Sequence, residues 1–149
     1  MDILLLLNKP EMDLKIKRNN VTLYEAVFNK DIDTITRLLN NGVDVNNTNQ
    51  YRVTPLHVAI YRGNFEICKA LIKKGANVNT KAEHGFTPLH VAIHFNRIRI
   101  CCFLLENGAD INILNEYGKS SMDIALRCNH LVIYEILKEK KDEADIIIS

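Results

Sequence analysis

Thr-Pro-Leu-His-Val-Ala-Ile occupies residues 54–60 and returns unchanged at residues 87–93, 33 positions later. An identical heptapeptide at that step is the mark of a repeat architecture, so its reach along the chain decides the fold. Leu23, Leu56, Leu89 and Met122 fall in register, as do Ala26, Ala59, Ala92 and Ala125. Gly42, Gly75 and Gly108 align too, each followed by a four-residue stretch that ends in Asn46, Asn79 or Asn112. The chain holds four copies of one unit.

Each copy reads as a pair of short helices. Thr54 can cap free N–H groups, and Pro55 at the first helical position presets φ without losing a needed donor. Leu56, Ala59 and Ile60 form one apolar stripe. Gly63-Asn64 breaks the helix, and Phe65, Ile67, Cys68, Leu71 and Ile72 give a second stripe at helical spacing. Gly75 then ends that helix in a left-handed conformation. Neither helix can cover its stripe alone, so the copies must stack. Between copies, Asn79 to Gly85 and Asn112 to Gly118 suit a hairpin-like turn.

These residues resemble the ankyrin-repeat family. Thr-Pro-Leu-His at 54–57 and 87–90, Gly-Ala-Asn-Val-Asn at 75–79 and Gly-Ala-Asp-Ile-Asn at 108–112 carry the likeness, over about residues 16–138. The resemblance implies an all-α solenoid of four helix-turn-helix repeats with hairpin turns and an N-terminal half-repeat cap. The expected division is a cap over 1–15, repeats at about 16–48, 49–81, 82–114 and 115–141, and a tail over 142–149. The outer copies depart from the pattern: Val21-Thr22-Leu23-Tyr24 and Ser120-Ser121-Met122-Asp123 both lose the Pro and the His. Terminal copies are expected to be atypical, since one side meets water. Lys138 to Lys141 puts charge where the helix-ending Gly would stand, which predicts a polar last helix and then a tail. Ile146-Ile147-Ile148 in that tail either packs back or meets a partner.

The totals exclude several classes. The chain has 149 residues, 47% of them hydrophobic and 25% charged, which is enough to bury a core and argues against disorder. A net charge of +1 without bias toward either half leaves no basic stripe for nucleic acid. Met1 to Leu7 has five consecutive apolar residues and no basic lead, a poor signal peptide, and no stretch nears the ~20 apolar residues of a membrane span. Cys68, Cys101, Cys102 and Cys128 show no metal spacing and read as reduced thiols of an intracellular protein. The wealth of Asn, Ile and Lys points to an AT-rich genome, as in large DNA viruses or intracellular bacteria.

No active site is evident. The resemblance makes His57 and His90 structural, each imidazole bridging a Thr hydroxyl and backbone groups of adjacent copies. Cys101-Cys102 with His94 could suggest a nucleophile, but adjacent helical residues diverge and no carboxylate is placed to orient the histidine. Cys68 and Cys101 share a register about 8–10 Å apart, too far for a disulfide. There is no phosphate loop, nucleophile elbow or carboxylate pair, and no metal or cofactor is expected. Asn46 resembles the asparagines that an oxygen-sensing hydroxylase modifies in ankyrin proteins; the simpler reading is a hydrogen-bonding turn residue.

If stacking forms the scaffold, function lies in the positions that stacking leaves over. In the family these are the hairpin tips and the last positions of each first helix, which line the concave face. By register the tips are Lys17, Arg18 and Asn20; Gln50, Tyr51 and Val53; Glu83, His84 and Phe86; and Glu116, Tyr117 and Lys119. The helix positions are Phe28-Asn29, Tyr61-Arg62, His94-Phe95 and Arg127-Cys128. Six of the chain's ten Phe and Tyr residues fall in this set. Aromatic and Arg residues dominate interface hot spots, so Phe28, Tyr51, Tyr61, Arg62, Phe86, His94, Phe95 and Tyr117 are the candidate partner-binding residues. Arg52 stands where Gly85 and Gly118 do, which predicts a distorted second hairpin and weakens Tyr51 and Val53 as contacts.

The resulting expectation is a non-catalytic protein–protein interaction module, a monomer that binds a host or cellular protein in the cytoplasm, with the nucleus as a second location. Small size, atypical ends and AT-rich bias resemble the ankyrin proteins of poxviruses, which intercept host proteins and in some cases inhibit innate immune signalling. A substrate adaptor for a ubiquitin ligase is the alternative; such proteins carry an F-box-like segment after the repeats, whereas about ten residues follow the last helix here. A thiol-based sensor or enzyme built on Cys101 or Cys102 is the third reading.

Overall fold

The computed structural model describes Leu7 and residues 21–149. The expected half-repeat cap and the tips Lys17, Arg18 and Asn20 lie outside the described residues, apart from Leu7, which is helical and buried. The remainder forms eight α-helices: α1 (Leu23–Phe28), α2 (Ile32–Asn40), α3 (Pro55–Tyr61), α4 (Phe65–Lys73), α5 (Pro88–His94), α6 (Ile98–Glu106), α7 (Ser121–Arg127) and α8 (Leu131–Ile148). Among the described residues there is no strand. Consecutive helices pair as α1/α2, α3/α4, α5/α6 and α7/α8. The inner helices α1, α3, α5 and α7 stack in one row, and the outer helices α4, α6 and α8 stack in a second. This is the expected solenoid, in which a unit's interior is supplied by its neighbours.

All four inner helices start the same way, although two lack the Pro and His. The side chains of Thr22, Thr54, Thr87 and Ser120 each accept from the backbone N–H three residues on. The reciprocal bond comes from His57 and His90 in the middle copies and from carboxylates at the ends. Thr22 N–H donates to Glu25 Oε2 at 3.0 Å and Ser120 N–H to Asp123 Oδ2 at 2.8 Å. Both are capping boxes, which satisfy two orphan donors at once. The inner helices end at left-handed residues in strict register, Lys30, Gly63, Asn96 and Asn129, with φ between 53° and 67°.

Small residues hold the inner row together. Ala26, Ala59, Ala92 and Ala125 are at most 1% exposed, so the backbones of successive copies approach closely. Leu56, Ile60, Leu89 and Ile93 fill the layer behind them, and Ile67, Leu71, Ile100, Leu104, Ile133 and Leu137 carry the core into the outer row. Each fully buried Leu or Ile contributes about 1.5–3 kcal/mol. Truncating Leu71 to Ala, in the middle of the stack, costs about 2–5 kcal/mol.

The hairpins close as expected and also join one another. Asn49 N–H donates to Val53 O, Ala82 N–H to Phe86 O and Asn115 N–H to Lys119 O, at 3.2, 2.8 and 3.0 Å. Between tips, Glu83 N–H reaches Tyr51 O and Glu116 N–H reaches His84 O, both at 2.9 Å. The second hairpin is not distorted. Arg52 takes φ of 57° itself, in the same region as Gly85 and Gly118, and its N–H donates to Asn49 O at 3.0 Å. Two Asn side chains stabilise this shape. Asn49 Oδ1 accepts from the N–H groups of Tyr51 and Val53, and Asn115 Oδ1 from those of Tyr117 and Lys119. The third hairpin has Ala82 in that place and instead turns through a short 3-10 segment, with His84 left-handed beside Gly85. Gly85 is required there, because a Cβ would lie 2.9 Å from the Glu116 nitrogen of the next hairpin.

One expectation fails at the C-terminal end. Residues 142–148, read from sequence as a tail, continue α8, and Ile146, Ile147 and Ile148 are 73–85% exposed, so they do not pack back on the repeats. Lys138 to Lys141 and Glu143 are good helix formers, and no Gly or Pro interrupts the run.

Candidate functional site

The two buried histidines belong to the scaffold. His57 Nδ1 lies 2.8 Å from Thr54 Oγ1 and accepts from Thr54 N–H at 3.2 Å, while Nε2 donates to Phe86 O of the next copy at 3.1 Å. His90 makes the same contacts with Thr87, at 3.2 and 3.1 Å. Its Nε2 has no hydrogen-bond partner of good geometry among the described residues. Burial lowers both imidazoles to a pKa of about 4, so they are neutral at pH 7.

Asn46 and Asn79, which end two of the four-residue stretches, are bridges of a second kind. Asn46 Nδ2 donates to Gly75 O at 3.1 Å and Asn46 Oδ1 accepts from Asn77 N–H at 2.8 Å. Asn79 repeats the pair with Gly108 O and Asp110 N–H, at 3.0 and 2.9 Å. Each amide thus closes two hydrogen bonds to the following copy. Asn46, the candidate for hydroxylation, has both ends of its amide held in this way.

The candidate partner-binding residues sort into two rows, separated by the length of an inner helix, about 10 Å for seven residues. In the helix-end row three side-chain contacts run to the residue 34 positions later. The Arg62 guanidinium lies 4.9 Å from the centre of the Phe28 ring. Tyr61 and Phe95 meet edge to face at 5.2 Å. His94 Nδ1 lies 3.8 Å from Cys128 Sγ. These diagonal contacts link the last turn of one inner helix to the cap of the next, and His94 adds an edge contact to Phe95 at 4.9 Å. Arg97 supports the row from below. Its Nη2 donates to Tyr61 O at 2.9 Å, and it fills the space beside Gly63, where a Cβ would meet Arg97 Cζ at 2.7 Å.

In the tip row, Phe86 lies 6.4 Å from Tyr117 and 6.3 Å from His90, and His84 stacks at a tilt on Tyr117 at 5.8 Å. Glu116 faces Arg52 at 3.5 Å and His84 at 3.6 Å. Sequence reading overstated how free these rings are. Phe28, Tyr51, Tyr61, Phe86 and Phe95 are all half-buried with one side against the core, and only Tyr117 reaches 50% exposure. Val53, read as a tip, is fully buried.

The thiols fall in two classes. Cys68 and Cys101 are buried in the outer row, and burial pushes each up to about 12. Cys102 and Cys128 are half-buried, and all four are free. The imidazole of His94 neighbours Cys128, not the Cys101-Cys102 pair considered from sequence. No group of three or more His, Cys, Asp or Glu side chains that could hold a metal occurs among the described residues. No helix among them is long and apolar enough to cross a membrane.

Three features of the surface escaped sequence reading: the capping boxes at Glu25 and Asp123, the hairpin caps at Asn49 and Asn115, and the diagonal contacts. The first was visible as Thr-x-x-Glu and Ser-x-x-Asp. The last requires knowing how far successive copies are offset.

No curated protein matches the chain. A family model described as Ankyrin repeats (3 copies) matches residues 23–115, the span from α1 to the loop after α6. Such repeats are protein–protein interaction modules. The match covers more than half of the 149 residues and coincides with the stacked helix pairs, so the chain belongs to the ankyrin-repeat family.

Proposed function

We propose that the chain is a non-catalytic module that binds a protein partner through the face formed by the helix-end row and the hairpin tips. The observation that carries this reading is the run of diagonal contacts, Phe28–Arg62, Tyr61–Phe95 and His94–Cys128. They fix half-exposed aromatic and Arg side chains in place before any partner arrives. Preorganised rings and guanidinium groups lose little entropy on binding, the property that makes a hot spot. Phe28, Tyr61, Arg62, His94 and Phe95 form the centre of the surface, with Tyr51, Phe86 and Tyr117 at the tips.

The partner is a host or cellular protein met in the cytoplasm or nucleus, and the chain acts as a monomer. The resemblance to poxvirus-type ankyrin proteins supports a host-directed role such as restraint of innate immune signalling. The test is affinity purification from transfected cells with the wild-type chain and with Tyr61→Ala/Phe95→Ala. Loss of a specific co-purifying protein from the double variant, at unchanged helical content, supports the reading. Its retention at full yield refutes it.

A further inference from the structure

The ends of the three later inner helices and the turns after them share an unusual charge pattern. Tyr61-Arg62-Gly63-Asn64, His94-Phe95-Asn96-Arg97 and Arg127-Cys128-Asn129-His130 contain three arginines, two histidines and no carboxylate, in a chain of net charge +1. Arg97 is committed to Tyr61 O and the space beside Gly63. Arg62 and Arg127 are exposed, and neither forms an ion pair among the described residues. Asp31, the carboxylate at the corresponding turn of the first copy, already accepts from Thr34 N–H at 3.1 Å. Glu116, on the neighbouring tip row, lies between Arg52 and His84.

Two cations therefore flank an aromatic centre. Arg62 is steadied over the Phe28 ring, and Tyr61, Phe95 and His94 lie between it and Arg127. Resting on a ring face leaves the edge of a guanidinium open, and that edge matches a carboxylate through two parallel N–H donors. The arginines sit two copies apart, about 16–20 Å at the usual spacing of packed helices. An extended chain covers that distance in about five or six residues.

We propose that this face takes an extended acidic segment of its protein partner, with carboxylates about six residues apart on Arg62 and Arg127 and an apolar side chain between them against Tyr61 and Phe95. The inference rests on the binding surface proposed above and adds the chemistry of what it binds. The two exposed guanidinium groups, without an ion pair among the described residues, select the acidic residues, and the half-buried rings select the apolar anchor.

The test uses a displayed library of random linear dodecapeptides, selected on the full chain at moderate salt. Enriched peptides should be richer in Asp and Glu than the input library, with two acidic positions flanking an aromatic or aliphatic residue. A selected peptide should bind Arg62→Glu/Arg127→Glu at least about tenfold more weakly, since two exposed ion pairs are lost and two repulsions take their place. Circular dichroism should show unchanged helix content in that variant. Enriched peptides that are neutral or basic, or that bind the charge-reversed chain equally well, overturn the inference. If such peptides still lose binding to Tyr61→Ala/Phe95→Ala, the surface stands and only its acidic preference falls. Failure to enrich any peptide overturns the preference, while the purification experiment tests the surface separately.

Discussion

Acidifying the solution from pH 7 to pH 5 should destabilise the stack sharply, through two side chains that no solvent reaches. In the unfolded chain His57 and His90 have the ordinary imidazole pKa of 6.5, whereas burial in the fold lowers both to about 4. Above pH 6.5 both states hold the rings neutral and no penalty exists. As pH falls below 6.5 the unfolded chain takes up protons that the fold refuses, so stability drops with pH until about pH 4. At pH 5 the unequal uptake amounts to about 2 kcal/mol for each histidine, or about 4 kcal/mol for the pair. Small domains have only about 5–15 kcal/mol in total. Urea unfolding followed by far-ultraviolet circular dichroism at several pH values measures the loss. Replacing His57 by Gln separates this effect from that of the other histidines. The variant should start about 1–3 kcal/mol less stable at pH 7, for want of the Thr54 and Phe86 hydrogen bonds. Its further loss on going to pH 5 should then be smaller than the wild-type loss by about 2 kcal/mol. An equal pH dependence in wild type and variant would refute the assignment of His57 as a ring held neutral by burial.

Three further outcomes follow from the packing. Ser121 stands where Pro55 and Pro88 stand, with its hydroxyl buried and without a partner among the described residues. The preceding Ser120 is already extended, as a residue before Pro must be, so Ser121→Pro should raise the unfolding free energy by about 1 kcal/mol, read from the urea midpoint. Asn46→Ala should cost about 1–3 kcal/mol in the same assay, because its amide closes two bonds to the next copy; Asn112→Ala, whose amide bridges to no following copy among the described residues, should be nearly neutral. In the native chain, iodoacetamide should modify Cys102 and Cys128 and spare Cys68 and Cys101, whose thiols are buried and pushed up to about 12; site-resolved mass spectrometry showing Cys101 labelled as fast as Cys102 would contradict that order.

The repeat step alone revealed most of the architecture, because an invariant spacing of Leu, Ala and Gly expresses the geometry that stacking demands. It placed the inner and outer stripes, the buried alanines and the left-handed glycines where the structure has them. What it missed was local compensation. Arg52 occupies a conformation that Gly would favour, held by the Asn49 side chain and by Glu83 N–H on Tyr51 O, so the tertiary context overrides the single-residue preference. Glu25 and Asp123 do the work of His57 and His90 by another route, so loss of the familiar residue does not mean loss of the helix start. The helical run to Ile148 was missed for the opposite reason. Charge at Lys138 to Lys141 was read as an end, although Glu and Lys favour a helix that no breaker stops.

The surface residues were legible as positions but not as partners of one another. Sequence register aligns Phe28, Tyr61, His94 and Arg127 with each other, which suggests a ladder of like with like. The stack instead offsets successive copies so that contacts run to the next column: Phe28 meets Arg62, Tyr61 meets Phe95, and His94 meets Cys128. That offset has a functional consequence. Were the columns self-paired, an aromatic in one copy could change only with the aromatic beside it. With diagonal pairing, each rung draws on two different positions of the repeat, with Phe28, Tyr61, Phe95 and Cys128 also packing against the core. The scaffold can therefore hold its stacking constant while each rung takes a different chemistry, here cation on ring, ring on ring, and imidazole on thiol. Under the proposal above, a surface of unlike rungs on like repeats would read a partner residue by residue along an extended segment, with Arg62 and Arg127 setting the charge it prefers.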